Sequence, residues 1–150
     1  MSELSIHPLL REHLFEVSMN VKSDQKLDSD TISEESVDSM IEDMSEGWSI
    51  LDDNGKVLAC NGVTELNDGS CHVWSLFSDG IGLDFFTINK MILVYLNGCK
   101  YRTIWADVRS WYKTGHRWVK ALGFKSVRLE HNYYTNGDSA LIYRRDKSWQ

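Results

Sequence analysis

Apolar residues return along this chain at two different periods, and the change of period divides it. Leu10, Leu14, Val17 and Val21 recur every three or four positions, which predicts a helix over residues 9–21 with one apolar face. Residues 4–8 precede it as a short edge strand, a place where Pro8 is tolerated because no ladder donor is needed there. Val37, Met40, Ile41 and Met44 repeat the helical spacing and predict a second helix over residues 33–45. Glu34 and Glu35 fall in its first turn, where the helix dipole favours negative charge. The polar, acidic stretch 22–33 between the two reads as a loop.

From Trp48 onward the period drops to two. Strands over 48–51 and 56–65 flank Asp53-Asn54-Gly55, a sequence able to supply the positive φ of a tight hairpin turn. Asn67-Asp68-Gly69 makes a second turn before an apolar strand over 71–77, which gives an antiparallel meander. Residues 83–96 are apolar almost all round and predict a helix buried against a sheet. A strand over 102–108 follows. Trp111, Gly115, Trp118, Val119 and Leu122 then mark one face of a helix stopped by Gly123. Strands over 127–134 and 139–144 close the chain around Asn136-Gly137. The order β-α-α-β-β-β-α-β-α-β-β predicts an α+β fold: a central mixed sheet with helices on both faces, in a single domain of 150 residues.

Charge and cysteine content narrow the function classes. Residues 1–98 carry 5 basic and 18 acidic side chains, whereas residues 99–150 carry 11 and 4. The basic C-terminal third suits either a phosphorylated ligand or a plain solvated surface; the acidic whole, without a basic run, argues against nucleic acid. The longest apolar stretch is interrupted by Asp84, Thr87, Asn89 and Lys90, so no membrane span is expected. The first residues lack the basic and apolar blocks of a secretory signal, and Cys60, Cys71 and Cys99 form no CxxC pair. The expectation is a cytoplasmic protein with no disulfide framework and no metal site.

Chemistry concentrates at Phe77-Ser78-Asp79-Gly80-Ile81-Gly82-Leu83, where the central strand enters the apolar helix. Two glycines one residue apart let the backbone turn tightly and present amides at a helix start, an arrangement suited to a pyrophosphate. A turn that needs two glycines for steric reasons alone reads the same way, and Asp79 stands where an anion would approach.

The element order, the Gly80-Ile81-Gly82 turn and the segment Trp118-Val119-Lys120-Ala121-Leu122-Gly123-Phe124 together resemble the GNAT (Gcn5-related N-acetyltransferase) superfamily, in divergent form. Residues 116–124 are similar, more narrowly, to GNAT-like proteins of short-tailed bacteriophages, some acetyltransferases and some internal virion proteins. The resemblance implies an acetyl-CoA-dependent N-acetyltransferase that transfers the acyl group directly to an amine. The cofactor-binding stretch would be Leu76, Phe77, Ser78, Asp79, Gly80, Ile81, Gly82 and Leu83, with the amides of residues 78–83 facing the phosphates. The acetyl group would lie in an opening between strand residues 73–77 and 104–109.

The chain departs from the family's pattern at several positions, among them the start of the later helix, where the family's asparagine would fall near Tyr112 or Lys113. Phe77 stands where an Arg or Gln is usual, and Val119 where many members carry a tyrosine acid. Tyr112 and His116 are therefore the candidate catalytic proton donors, and Glu65 and His72 the candidate bases. His131, Tyr133 and Tyr134 fall where members shape the acceptor pocket. Acceptors would be a small amine or a protein amino group. The alternative is a catalytically degenerate member serving as a virion component or binding a host protein; in either case a phage-encoded chain would work in the host cytoplasm or the particle.

Overall fold

The computed structural model describes residues 3–19 and 34–149, with Met19 and residues 34–36 described through their backbone alone. The expected loop 22–33 and the expected apolar position Val21 lie outside these residues. In chain order the elements are β1 (Ser5–Pro8), α1 (Arg11–Met19), α2 (Glu34–Asp43), β2 (Glu46–Leu51), β3 (Val57–Glu65) and β4 (Cys71–Phe77). They continue with α3 (Asp84–Gly98), β5 (Thr103–Arg109), α4 (Lys113–Ala121), β6 (Lys125–Glu130) and β7 (Ala140–Asp146), closed by a 3-10 turn at Lys147–Trp149. The strands form one seven-stranded mixed sheet in the order β1-β2-β3-β4-β5-β7-β6. The expected α+β architecture is therefore present. Its parallel pairs are Cys71↔Ile104 and His72↔Trp105, and the pairs β1·β2, β2·β3, β5·β7 and β6·β7 are antiparallel. Among the described residues no helix is long and apolar enough to cross a membrane.

The chain divides into two compact units, residues 1–64 with 74–98, and residues 65–73 with 99–150. In the first, Leu9, Leu14, Val17, Val37, Val57 and Cys60 form a buried cluster, with Met40, Ile41, Met44, Trp74 and Leu76 packed on it. The helical spacing therefore sorted the core faces of α1 and α2, with one exception. Leu10 precedes the helix and is exposed; its carbonyl accepts the His13 amide, and its own amide donates to His13 Nδ1. The hairpin at Asp53-Asn54-Gly55 is held by the Asp52 carboxylate, which accepts the amides of Asn54 and Lys56 at 2.9 Å each.

Helix α3, expected as an almost wholly apolar helix buried against a sheet, buries one face and exposes another. Ile88, Ile92 and Leu96 are buried, four residues apart, whereas Leu83, Phe86 and Val94 are 69%, 64% and 73% exposed. Apolar character on every side does not by itself supply a partner for every side, and here one face has it.

In the second unit β7 lies between β5 and β6, leaving β6 as an edge with five of six residues exposed. Lys125, Arg128 and Glu130 charge that edge, which discourages pairing with another chain. Two boundaries move from their expected places. Trp111 precedes α4 instead of lying on its face, because a turn closes there (Tyr112 amide to Arg109 carbonyl, 3.0 Å). Tyr133 and Tyr134 leave β6, because both of their amides donate to the Asp138 carbonyl, at 3.0 and 3.1 Å.

Candidate functional site

The first candidate region is the β4–α3 junction, within the first unit. Phe77 is 7% exposed, and its ring packs edge-on against Phe85, centroids 5.8 Å apart. Leu76 packs on the apolar cluster and Ser78 and Ile81 are buried, so four of the eight expected cofactor residues have their side chains turned inward. What the loop offers is main chain. The Ser78 amide is spent on the Leu58 carbonyl at 3.0 Å, which removes it from the expected donor set. The amides of Asp79, Gly80, Ile81, Gly82 and Leu83 donate to no acceptor among the described residues; hydrogen bonding resumes where the Asp84 amide reaches the Ile81 carbonyl. Gly80 (φ 76°) and Gly82 (φ 53°) adopt the left-handed backbone that makes such a run possible. A Cβ placed on Gly82 would meet nothing within 4 Å, so the space over the turn is open.

Neither the phenyl ring nor the Asp79 carboxylate plugs this turn. Phe77 faces the interior, and Asp79 is exposed with no loop amide bonded to its side chain. Asp84 opens the helix with Oδ1 buried and without a hydrogen-bond partner, a charge that the positive end of α3 offsets. The donor set, five main-chain N–H groups on a left-handed turn, has the chemistry of a diphosphate cradle.

The second region lies wholly in the second unit and is made of side chains. Strand β4 brings His72 beside β5, and His72 Nε2 lies 2.5 Å from Asp107 Oδ1. Tyr134 donates its hydroxyl to the other carboxylate oxygen, Asp107 Oδ2, also at 2.5 Å. The Arg109 guanidinium stacks over the Tyr134 ring at 3.9 Å and donates to Asp138 at 2.9 Å and to Asn136 at 3.2 Å. Trp111 Nε1 donates to the same Asp138 oxygen at 2.9 Å. The loop between β6 and β7 is thereby clamped so that Tyr134 meets Asp107. Burial alone would raise the Asp107 pKa. The His72 hydrogen bond and charge, with help from Tyr134 and Arg109, outweigh it and hold the carboxyl below its usual range. Burial, then the Asp107 charge, pushes the Tyr134 phenol well above the ordinary value, so it stays a donor.

This arrangement can move a proton. With the Nε2 hydrogen directed at Asp107, a neutral His72 ring offers Nδ1 as an acceptor, and Nδ1 has no partner among the described residues. Among the candidates named from sequence, His72 thus gains a carboxylate partner, and Tyr134 joins it. Glu65 instead pairs with Lys100 at 3.3 Å. His131 lies beside Ser139 at 3.4 Å.

The helix α4 candidates are placed differently. Tyr112 occupies the N-cap position with no side-chain cap bond, its ring against Gly115, where an added Cβ would meet Tyr112 Cδ2 at 2.6 Å. His116 engages the Tyr143 hydroxyl through Nδ1 at 2.7 Å and the Ser110 carbonyl through Nε2 at 3.1 Å. It lines a depression of about 560 Å³ with Lys113, Arg117, Lys120, Leu129 and Leu141. Val119 is buried. The cysteines offer no nucleophile in the first unit: Cys60 is buried, and burial pushes its thiol up to about 12.

The β1-to-β7 topology described above is the GNAT N-acetyltransferase fold. Among solved structures, the ribosomal-protein-S18-alanine N-acetyltransferase of Escherichia coli superposes with TM-score 0.73 at 18% identity, covering 96% of this chain and 94% of that one. An N-acetyltransferase of Staphylococcus aureus Mu50 gives 0.75 at 13% identity, with 98% and 99% covered. A chimera of the Vibrio cholerae spermidine N-acetyltransferase gives 0.70 at 16% identity, with 99% and 98% covered. At these identities the likeness is one of fold. No family model matches the chain, and no curated protein matches it.

Proposed function

We propose that this protein is an acyl-CoA-dependent N-acyltransferase that moves the acetyl group of acetyl-CoA directly to an amine. One observation carries the reading: five successive main-chain amides, Asp79 to Leu83, donate to no acceptor among the described residues and lie on an open left-handed turn at the head of the 15-residue helix α3. Those amides bind the pyrophosphate. Bound acetyl-CoA supplies the thioester carbonyl that the amine attacks. In the second unit His72 Nδ1 is the group able to accept a proton from an amine, Asp107 fixes the tautomer and stabilises the imidazolium that results, and Tyr134 and Arg109 hold Asp107 in place. Tyr112 and His116 are the candidates for returning a proton to the departing thiolate. The buried, protonated Cys60 fits transfer without an acyl-cysteine step.

The neighbours are named for a ribosomal-protein alanine and for spermidine, and both present an amine. An ionised Asp107 suits a cationic acceptor of that kind, whether small or protein-borne. Titration of the full chain with acetyl-CoA, followed by calorimetry and by the thermal midpoint, tests the reading. Ligand at a hundred times its dissociation constant stabilises the fold by about 2.7 kcal/mol, a rise of roughly 5–10 °C for a chain of this size. No heat and no rise at millimolar acetyl-CoA overturn it.

Val119 at the tyrosine position, with the exposed Phe86 and Val94 on α3 and Leu83 just before it, favours a second reading: a virion or interaction protein that keeps the fold without turnover. Tight acetyl-CoA binding with thiol release on adding amines excludes it.

A further inference from the structure

The family's pattern places a cationic or amide side chain at the first position of the phosphate loop, and here that position is Phe77, buried in the interior. The loop also carries two carboxylates, Asp79 and Asp84, so a diphosphate approaching the five amides meets negative charge with none of the usual compensation. A cation arrives from elsewhere in the same unit. Lys56, at the end of the β2–β3 turn, extends its ammonium to the Asp79 carbonyl at 3.2 Å, and a Cβ added at Gly80 would lie 3.9 Å from Nζ. The geometry points to Lys56 as the side chain that completes the phosphate site, replacing from a neighbouring hairpin the anchor absent at position 77. This rests on the acyl-CoA reading above and adds to it the residue that supplies the charge.

The placement of Lys56 is built rather than incidental. Its amide donates to the Asp52 carboxylate at 2.9 Å, and its carbonyl accepts the Asp52 amide at 3.0 Å. The next amide, Val57, donates to Glu16 Oε2 at 2.7 Å. The backbone on both sides of Cα is thus fixed, and the side chain reaches the loop from a rigid base. An ammonium has three hydrogens; the Asp79 carbonyl takes one, which leaves two for phosphate oxygens. Among the described cations of the first unit, Arg11 is occupied by Asp38 at 2.8 Å and Lys90 lies within α3, one turn and a half from its start.

The test uses the full-length protein, calorimetry at several salt concentrations, and two probes: CoA, and S-acetylpantetheine, which lacks the pyrophosphate. Hydrogen bonds to charged groups contribute enough that Lys56→Met should weaken CoA about tenfold. The same variant should leave S-acetylpantetheine affinity and the ligand-free thermal midpoint unchanged. Lys56→Arg should restore CoA binding, and Lys56→Gln, which keeps a hydrogen-bond donor without the charge, should not. The salt dependence of CoA affinity should be shallower in Lys56→Gln than in wild type. Wild-type binding of CoA with no change in Lys56→Met overturns the role of Lys56 and leaves the acyltransferase reading intact. A loss in Lys56→Met that Lys56→Gln fully repairs makes Lys56 a brace for the loop and also overturns the proposal. Absence of CoA binding in wild type overturns both.

Discussion

The two compact units carry their chemistry in different currencies. In the first, everything at residues 79–83 able to hold an anion is main chain, while the loop's own flanking side chains are turned inward, as Phe77 is, or carry the wrong sign, as Asp79 and Asp84 do, and the one cation at the loop, Lys56, comes from a neighbouring hairpin. In the second, the candidate site of His72, Asp107, Tyr134 and Arg109 is made of side chains, each positioned by the next, and Asp138 clamps the loop that brings Tyr134 in. A backbone site survives most substitutions and fails at the glycines that shape it. A side-chain network fails at almost any member. Changes in the first unit should accordingly move cofactor affinity, and changes in the second should move turnover, stability and pH response.

The largest expected effect is at Gly82. Its φ of 53° strains any L side chain, and a branched Cβ would stand in the open space over the amides. Gly82→Val should weaken acetyl-CoA by about a hundredfold or more and abolish the thermal shift, through strain of about 1–3 kcal/mol plus the blocked approach. Retained affinity in a folded Gly82→Val protein would break the assignment of the anion site to the main chain. Next is Asp107→Asn, which removes the charge that steadies an imidazolium on His72. Turnover should fall about a hundredfold, in line with loss of assisted proton transfer, while acetyl-CoA affinity stays at the wild-type value. If affinity falls in parallel with turnover, the division of labour between the units is wrong.

These regions also differ in how legible they are in the amino-acid sequence. Gly80 and Gly82 announce a left-handed turn because glycine alone adopts that backbone without strain, and a following apolar run announces the helix. A backbone site is therefore written locally. The Asp107 network is not. Alternation in Thr103–Arg109 does set Trp105, Asp107 and Arg109 apart from Ile104, Ala106 and Val108, so a charged residue inside a strand was a visible signal. What joins Asp107 to His72 is the parallel register of β4 on β5, and what joins it to Tyr134 is a loop folded on Asp138; neither is encoded by spacing. The same limit explains the last strand. A hairpin motif predicts that β6 and β7 pair, without saying which of them meets β5. For α3, apolar residues on every side gave no hint of which face would be left uncovered.

The smallest expected effect, at Tyr134, sharpens the comparison most, because it tests the network without touching the reacting groups. Tyr134→Phe keeps the ring under Arg109 and removes only the hydroxyl donated to Asp107 Oδ2. At neutral pH the cost should be about 1–2 kcal/mol, a fall of roughly 3–6 °C in the thermal midpoint. The pH dependence is more telling. A carboxyl whose folded pKa is depressed, as at Asp107, adds stability above its unfolded value of about 4 and loses it as pH falls through the folded value. A phenol whose folded pKa is raised, as at Tyr134, adds stability below about pH 10 and loses it as pH climbs past that point. Replacing the phenol deletes the alkaline contribution outright. It also takes away one of the bonds that lower Asp107, so the acid limb should flatten as well. Thermal midpoints of both proteins measured from about pH 3 to about pH 11 decide it. Parallel curves at both ends would mean that the hydroxyl and the carboxylate are neighbours without being coupled, and the side-chain site would then reduce to His72 and Asp107.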